Sequence, residues 1–148
     1  MRLARVVRPM LIASCMAIAL AGTALAAGSS EVWIEITGIG PTETFVTSGG
    51  VLCPEGTSEN TFEKFGGSFA GAAGSFHGYK TLTCADGSGS FRITYDAATV
   101  FGSPQDQGGW HVVDGTDDYA EMRGGGNLVG TYIPGGIIDL YTGRVSLH

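Results

Sequence analysis

Apolar and polar residues alternate with a period of two in four separate runs, and that rhythm restricts the chain to β-structure. Val32, Ile34 and Ile36 alternate with Glu31, Trp33 and Glu35, while Phe91, Ile93 and Tyr95 alternate with Ser90, Arg92, Thr94 and Asp96. Leu128, Gly130 and Tyr132 interleave with Asn127, Val129 and Thr131, and Ile138, Leu140 and Thr142 with Ile137, Asp139 and Tyr141. Successive side chains of a strand point to opposite faces. Each run therefore offers one face to an interior and the other to solvent or a second layer. No window holds an apolar 3.6-residue period through three turns, so the chain reads as all-β.

Glycine supplies the joints. Of the 25 glycines, 24 lie beyond residue 26, about a fifth of that segment against a usual share of about 7%. Gly49-Gly50, Asp86-Gly87-Ser88-Gly89, Gly108-Gly109 and Pro134-Gly135-Gly136 read as turns, and Thr99 to Gly109 as the longest exposed loop. Gly130 and Gly143 fall inside strands, where they suit the tight coiling of a small barrel. Six to eight short strands joined this way must close on themselves or pack face to face, because open edges invite aggregation. The expectation is a small antiparallel closed β-barrel of about eight strands, with a β-sandwich as the alternative.

The N-terminus reads as an export signal. Arg2, Arg5 and Arg8 precede an apolar run from Met10 to Leu20, and Ala24-Leu25-Ala26 offers small residues for cleavage after residue 26. The run is short for a membrane anchor, and Ile12-Ala13-Ser14-Cys15 is only loosely a lipobox because mostly apolar residues follow it. Residues 27–148 then form a single domain, secreted to the periplasm or medium and not inserted in a membrane. Three of the eight basic residues leave with the signal, so five face 14 acidic ones. That balance repels phosphates and anionic lipid heads, which excludes nucleic acids as expected partners.

Cysteine usage fits export. Cys53 and Cys84 are the pair left after processing, and an oxidising compartment favours a disulfide between them. Closing that loop is worth about 3.5–4 kcal/mol on the chain-entropy model. A thiolate metal site would need further ligands at zinc spacing, and none are present.

The stretch from Trp110 to Gly126 reads as a buried strand, one helical turn and a glycine-rich return strand. Thr116 is placed to cap the turn, Asp117 and Asp118 put negative charge at its positive end, and Gly124 can end it in a left-handed conformation. Tyr119 and Met122, three residues apart, share a face and can plug a barrel end. The pattern Trp110-x-Val112-Val113-x-Gly115-Thr116-x-x-Tyr119-x-x-x-Arg123-Gly124 resembles the signature turn of allene oxide cyclase-like and dirigent-like proteins. Gly87-Ser88-Gly89-Ser90-Phe91 and Tyr141-Thr142-Gly143-Arg144 extend the resemblance over Thr83 to His148, whereas the first half carries no family motif. The resemblance implies an eight-stranded antiparallel barrel with an apolar cavity, assembly into dimers or trimers, and lipid-derived or phenolic ligands. It places Arg123 at the cavity mouth, and Asp117 stands where the family usually has a glycine.

Other chemistries find little support. His77, His111 and His148 lack metal spacing, and there is no H-E-x-x-H, G-x-S-x-G or phosphate-binding loop. Asp106, Asp114, Asp117, Asp118 and Glu121 concentrate oxygen ligands that calcium could use, but match no EF-hand loop. Neither a cofactor nor a metal is expected. The leading expectation is non-catalytic binding of a small apolar or aromatic molecule in the barrel. An isomerase or cyclase would use Arg123 as an anion or carbonyl contact and Glu35 as acid or base, although Glu35 equally reads as an outward strand residue. A third reading is a structural or partner-binding barrel filled by its own side chains.

Overall fold

A computed structural model describes residues 28–39, 42–67 and 73–148; the expected export signal at 1–26 lies outside them. Eight strands follow in order: β1 (Ser30–Ile39), β2 (Thr42–Ser48), β3 (Glu55–Gly67), β4 (Ala73–Cys84), β5 (Ser90–Val100), β6 (Gln105–Gly115), β7 (Arg123–Ile133) and β8 (Gly136–Ser146). Each pairs antiparallel with its neighbours in sequence, and β8 returns to β1 to close a single barrel. The sandwich alternative is thereby set aside. The only helix among the described residues is a 3-10 turn, Asp117–Tyr119, between β6 and β7.

Closure sorts the alternating residues. Val32, Ile34 and Ile36 on β1, Phe91 and Ile93 on β5, Leu128 on β7 and Tyr141 on β8 are buried in the interior. In β8 both faces carry apolar residues, and the register turns Ile137, Asp139 and Tyr141 inward. Two irregularities change the parity within a strand. Between Asn60 and Phe62 β3 carries one extra residue, so Asn60, Glu63 and Phe65 oppose the inward Lys80, Gly78 and Phe76 while Phe62 stays exposed. A second shift lies where β5 meets β6, leaving Val113 without a partner between Val112 and Asp114.

One end of the barrel is plugged. The segment after β2 brings Leu52 and Cys53 over the opening, and a disulfide ties Cys53 to Cys84 at the end of β4. Tyr119 and Met122 fill the remaining space at 3% and 1% exposure. The Tyr119 hydroxyl accepts the Cys53 backbone N–H at 2.9 Å, and its ring packs on Phe91 with centroids 5.3 Å apart. Trp110 lies deeper, its indole N–H reaching across β7 to the Thr142 carbonyl at 3.2 Å.

Three local expectations are corrected. Thr116 occupies the N-cap position, but its side chain makes no cap hydrogen bond; its Oγ1 accepts the Ser90 N–H at 3.0 Å and ties the turn to β5. Ala120, right-handed, closes the turn, while Gly124 is the second residue of β7. A Cβ on Gly124 would stand 2.3 Å from the Arg144 carbonyl oxygen, so glycine is required there for strand contact. The expected loop from Thr99 to Gly109 shrinks to residues 101–104. Gly108 and Gly109 belong to β6, where a Cβ on Gly108 would overlap the Asp96 carbonyl. Asp117 adopts a φ of 51°, a left-handed conformation that aspartate tolerates better than most residues.

The Tyr119 hydroxyl connects the plug to the disulfide loop, so its removal isolates the mechanical role of that bond. Tyr119→Phe keeps the ring and leaves the buried Cys53 N–H without its partner. We expect a loss of about 1–3 kcal/mol in denaturant unfolding with the disulfide intact.

Candidate functional site

The end opposite the plug is open, and the barrel interior changes character toward it. Above a floor of Tyr95 and Leu128, the inward positions of β2, β3, β4, β6 and β8 become charged. They enclose a cavity of about 390 Å³ lined by Glu43, Glu63, Lys80, Asp106 and Asp139 together with Phe76, Tyr95, Leu128, Tyr132 and Ile137. An apolar groove formed by Phe65, Phe76, Val100, Phe101 and Tyr132 adjoins it, sharing Phe76 and Tyr132.

Lys80 is the centre of the charge arrangement. It is 3% exposed, and its ammonium donates to both oxygens of Glu43, at 3.0 and 2.8 Å. Asp139 lies 3.8 Å away and the Tyr95 ring 5.8 Å. Ser58 and Asn60 on β3 donate further hydrogen bonds to Glu43, at 2.9 and 3.1 Å. A buried cation is tolerable only with such compensation, because its desolvation costs several kcal/mol.

The carboxylates outnumber the cation. Glu63, turned inward by the β3 bulge, accepts the Tyr95 hydroxyl at 2.6 Å. Asp106 on β6 and Asp139 on β8 flank Gly130 of β7, which is in register with both. A Cβ built on Gly130 would lie 2.1 Å from Oδ1 of Asp106 and 2.9 Å from Oδ1 of Asp139. The two oxygens are therefore within about 5 Å of each other, close enough for each charge to disfavour the other. Asp106 Oδ2 accepts the Tyr132 hydroxyl at 3.3 Å, whereas its buried Oδ1 has no hydrogen-bond partner.

Titration follows this crowding. Burial pushes the Asp139 carboxyl up to about 6, with Asp106 and Glu43 adding repulsion against the pull of Lys80 and the Tyr141 hydroxyl. Burial likewise raises Asp106 above the ordinary carboxylate range. The Tyr95 phenol is raised by burial and by its bond to Glu63, and Tyr141 by burial and the nearby Asp139. Asp139 thus changes charge near neutral pH inside the cavity.

The residues singled out from sequence stand elsewhere. Glu35 is on the outer face of β1, opposite Val46 and Leu140 in register. Arg123 is exposed at the start of β7, at the plugged end, and donates to the Met122 carbonyl at 2.9 Å. Neither lines the cavity. Trp110, Gly115, Thr116, Tyr119 and Gly124 build the strand–turn–strand that closes the opposite end. The acidic stretch is divided between the ends: Asp106 is in the open half, Asp114 pairs with Arg92 outside, and Asp117 and Asp118 sit on the turn. The sequence does not single out Lys80, Glu43, Glu63 or Asp139 as site residues, and it offers Asp106 only as a possible calcium ligand. Lys80 had a signal, since a period of two puts it on the same face as Leu82 and the disulfide-bonded Cys84. Asp106 was hidden in the supposed loop, and Glu63 by the bulge.

No known protein family, curated protein or solved structure matches the chain.

Two stability measurements test this electrostatic arrangement. Lys80→Met strands Glu43 without its cation and should cost about 3 kcal/mol, most of which the double variant Lys80→Met/Glu43→Leu regains. For Asp139, the carboxyl titrates near 3.8 unfolded and about 6 folded, so its contribution is fully present below pH 4 and lost as pH rises through 6. Thermal unfolding of Asp139→Asn against the wild type should therefore favour the variant by several degrees more at pH 7.5 than at pH 4.

Proposed function

We propose that the chain is an exported binding barrel that holds a small molecule with an apolar or aromatic body at its open end. One observation carries the reading: the cavity is closed below by packed side chains, open above, and walled by Phe76, Tyr95, Leu128, Tyr132 and Ile137. A volume of about 390 Å³ falls in the range of small-molecule sites, about 300–1,000 Å³. Burying about 150 Å² of apolar ligand surface there would contribute about 4 kcal/mol, and the polar groups would set orientation. Export is part of the proposal and is supported by the Cys53–Cys84 disulfide, a bond of oxidising compartments. So is kinship with allene oxide cyclase-like and dirigent-like barrels, which rests on the Trp110 to Gly124 pattern around the 3-10 turn.

An isomerase or cyclase on a lipid-derived or phenolic substrate is the second reading. It is favoured by Asp139, whose carboxyl is pushed up to about 6 inside the cavity and so can hold or release a proton near neutral pH. Under it the chemistry shifts from Arg123 and Glu35 to Asp139 with Lys80 beside it, and the walls hold the substrate in one reactive conformation. The third reading, a structural or partner-binding barrel filled by its own side chains, draws its support from the packed, plugged half.

Filling the cavity separates binding from stability. Ala97 is 4% exposed and lines the cavity wall on β5. Ala97→Phe should weaken binding of the neutral probe 2-(2-naphthyl)ethanol about tenfold or more, read by fluorescence titration, while the melting temperature changes by only a few degrees. Equal affinity in both proteins would place the probe outside the barrel and reject the reading.

A further inference from the structure

The unoccupied hydrogen-bonding capacity of this cavity is weighted toward acceptors. Its titratable lining groups are four carboxylates, one ammonium and two phenols, and the ammonium of Lys80 is engaged by both oxygens of Glu43. The charge left over is anionic. Asp106 is 5% exposed, lines the cavity, and keeps Oδ1 without a hydrogen-bond partner. An unpaired buried carboxylate oxygen costs more than a neutral acceptor would, so a structure that retains one calls for a donor.

The strand register shows where that donor belongs. Gly130 lies between Asp106 and Asp139 and contributes no side chain, so the two Oδ1 atoms converge on the space a Cβ would occupy. Lys80 and the Tyr141 hydroxyl approach Asp139 from the other side, through Oδ2. With the Asp106 carboxylate turned toward the cavity, a single nitrogen about 2.8 Å from each oxygen would satisfy both, the spacing of charge-assisted hydrogen bonds. Tyr95, Tyr132 and Phe76 line the same cavity and supply aromatic surface of the kind that attracts cations. Glu63 at the rim adds a further negative charge that steers cations inward.

We propose that the cavity selects organic cations, and that a protonated amine on an aromatic or aliphatic body sets its ammonium between Asp106 and Asp139 over Gly130. The proposal rests on the cavity-binding reading and names the ligand class for it. The body then extends past Phe76 and Tyr132 toward the adjoining apolar groove. A neutral analogue fills the same walls but leaves the two carboxylates to repel each other or to share a proton.

A matched pair of probes decides it. Isothermal titration at pH 7.5 compares 2-(2-naphthyl)ethylamine with 2-(2-naphthyl)ethanol on the whole soluble protein. The amine is expected to bind about tenfold or more tightly, and Asp106→Asn to remove that advantage while leaving the alcohol's affinity within about twofold. Should Asp106→Asn fold poorly, carboxyl ¹³C resonances of the wild type give a second readout: Asp106 and Asp139 must shift on adding the amine and stay fixed with the alcohol. Binding of the alcohol with no gain for the amine overturns the cation proposal and leaves the cavity reading standing. An advantage that survives in well-folded Asp106→Asn overturns the assignment to this carboxylate pair. If neither probe binds, both readings fall together.

Discussion

The hydrogen-bonded closure of β1 against β8 is the constraint on which the other features depend. Ten residues pair across that seam, from Ser30 with Val145 to Ile39 with Gly136. An open sheet could relax by sliding, but a closed one cannot shift a strand by one residue without turning a whole set of side chains to the wrong face. Because the ring is fixed, an inward Lys80 must find its partner inside, and Glu43 on β2 supplies it from across β3. Closure also gives the chain two ends of different character. One is stoppered by the disulfide, Tyr119 and Met122, and the other is left polar and open.

The two halves divide the work of stability and chemistry. Phe45, Phe91, Ile34, Ile36, Leu82 and Ile93 are all nearly inaccessible and form a packed layer with the plug. A 31-position disulfide loop adds about 3.5–4 kcal/mol on the entropic account. That surplus can offset a group of carboxylates held close together at the far end, an arrangement that stabilises nothing by itself. Asp106 and Asp139 are the kind of crowded pair that stable folds keep only where something else is gained.

Much of the fold was legible because alternation and glycine spacing are local properties. The runs through Ile34, Phe91 and Leu128 carried their inward faces openly, and Tyr119 with Met122 announced a plug by their spacing. The site was harder, for three separate reasons. Asp106 lies in a glycine-rich segment where Gly108 marks close backbone contact between β5 and β6, a role that composition cannot distinguish from a turn. In β8, apolar residues on both faces conceal which one holds Asp139. Glu63 depends on an irregularity that no residue type in its neighbourhood signals. Arg123 drew notice through the resemblance of its Arg-Gly position and Glu35 through its place among the apolar residues of β1, yet a charge on a strand says nothing of its facing until the parity of that strand is known.

That parity is a discrete variable in β3. The extra residue between Asn60 and Phe62 acts as a half-step of the strand: everything before it keeps its facing, and everything after it is inverted. Phe62, 49% exposed outside, and Glu63, bonded to Tyr95 inside, are the two sides of a single choice. The acidity of the entrance is thus encoded less in which residues the strand contains than in where it steps out of the ladder. Were Thr61 to take up a regular place opposite β4, the residues beyond it would invert and an aromatic lip would replace the anionic one, with every other strand of the barrel unchanged.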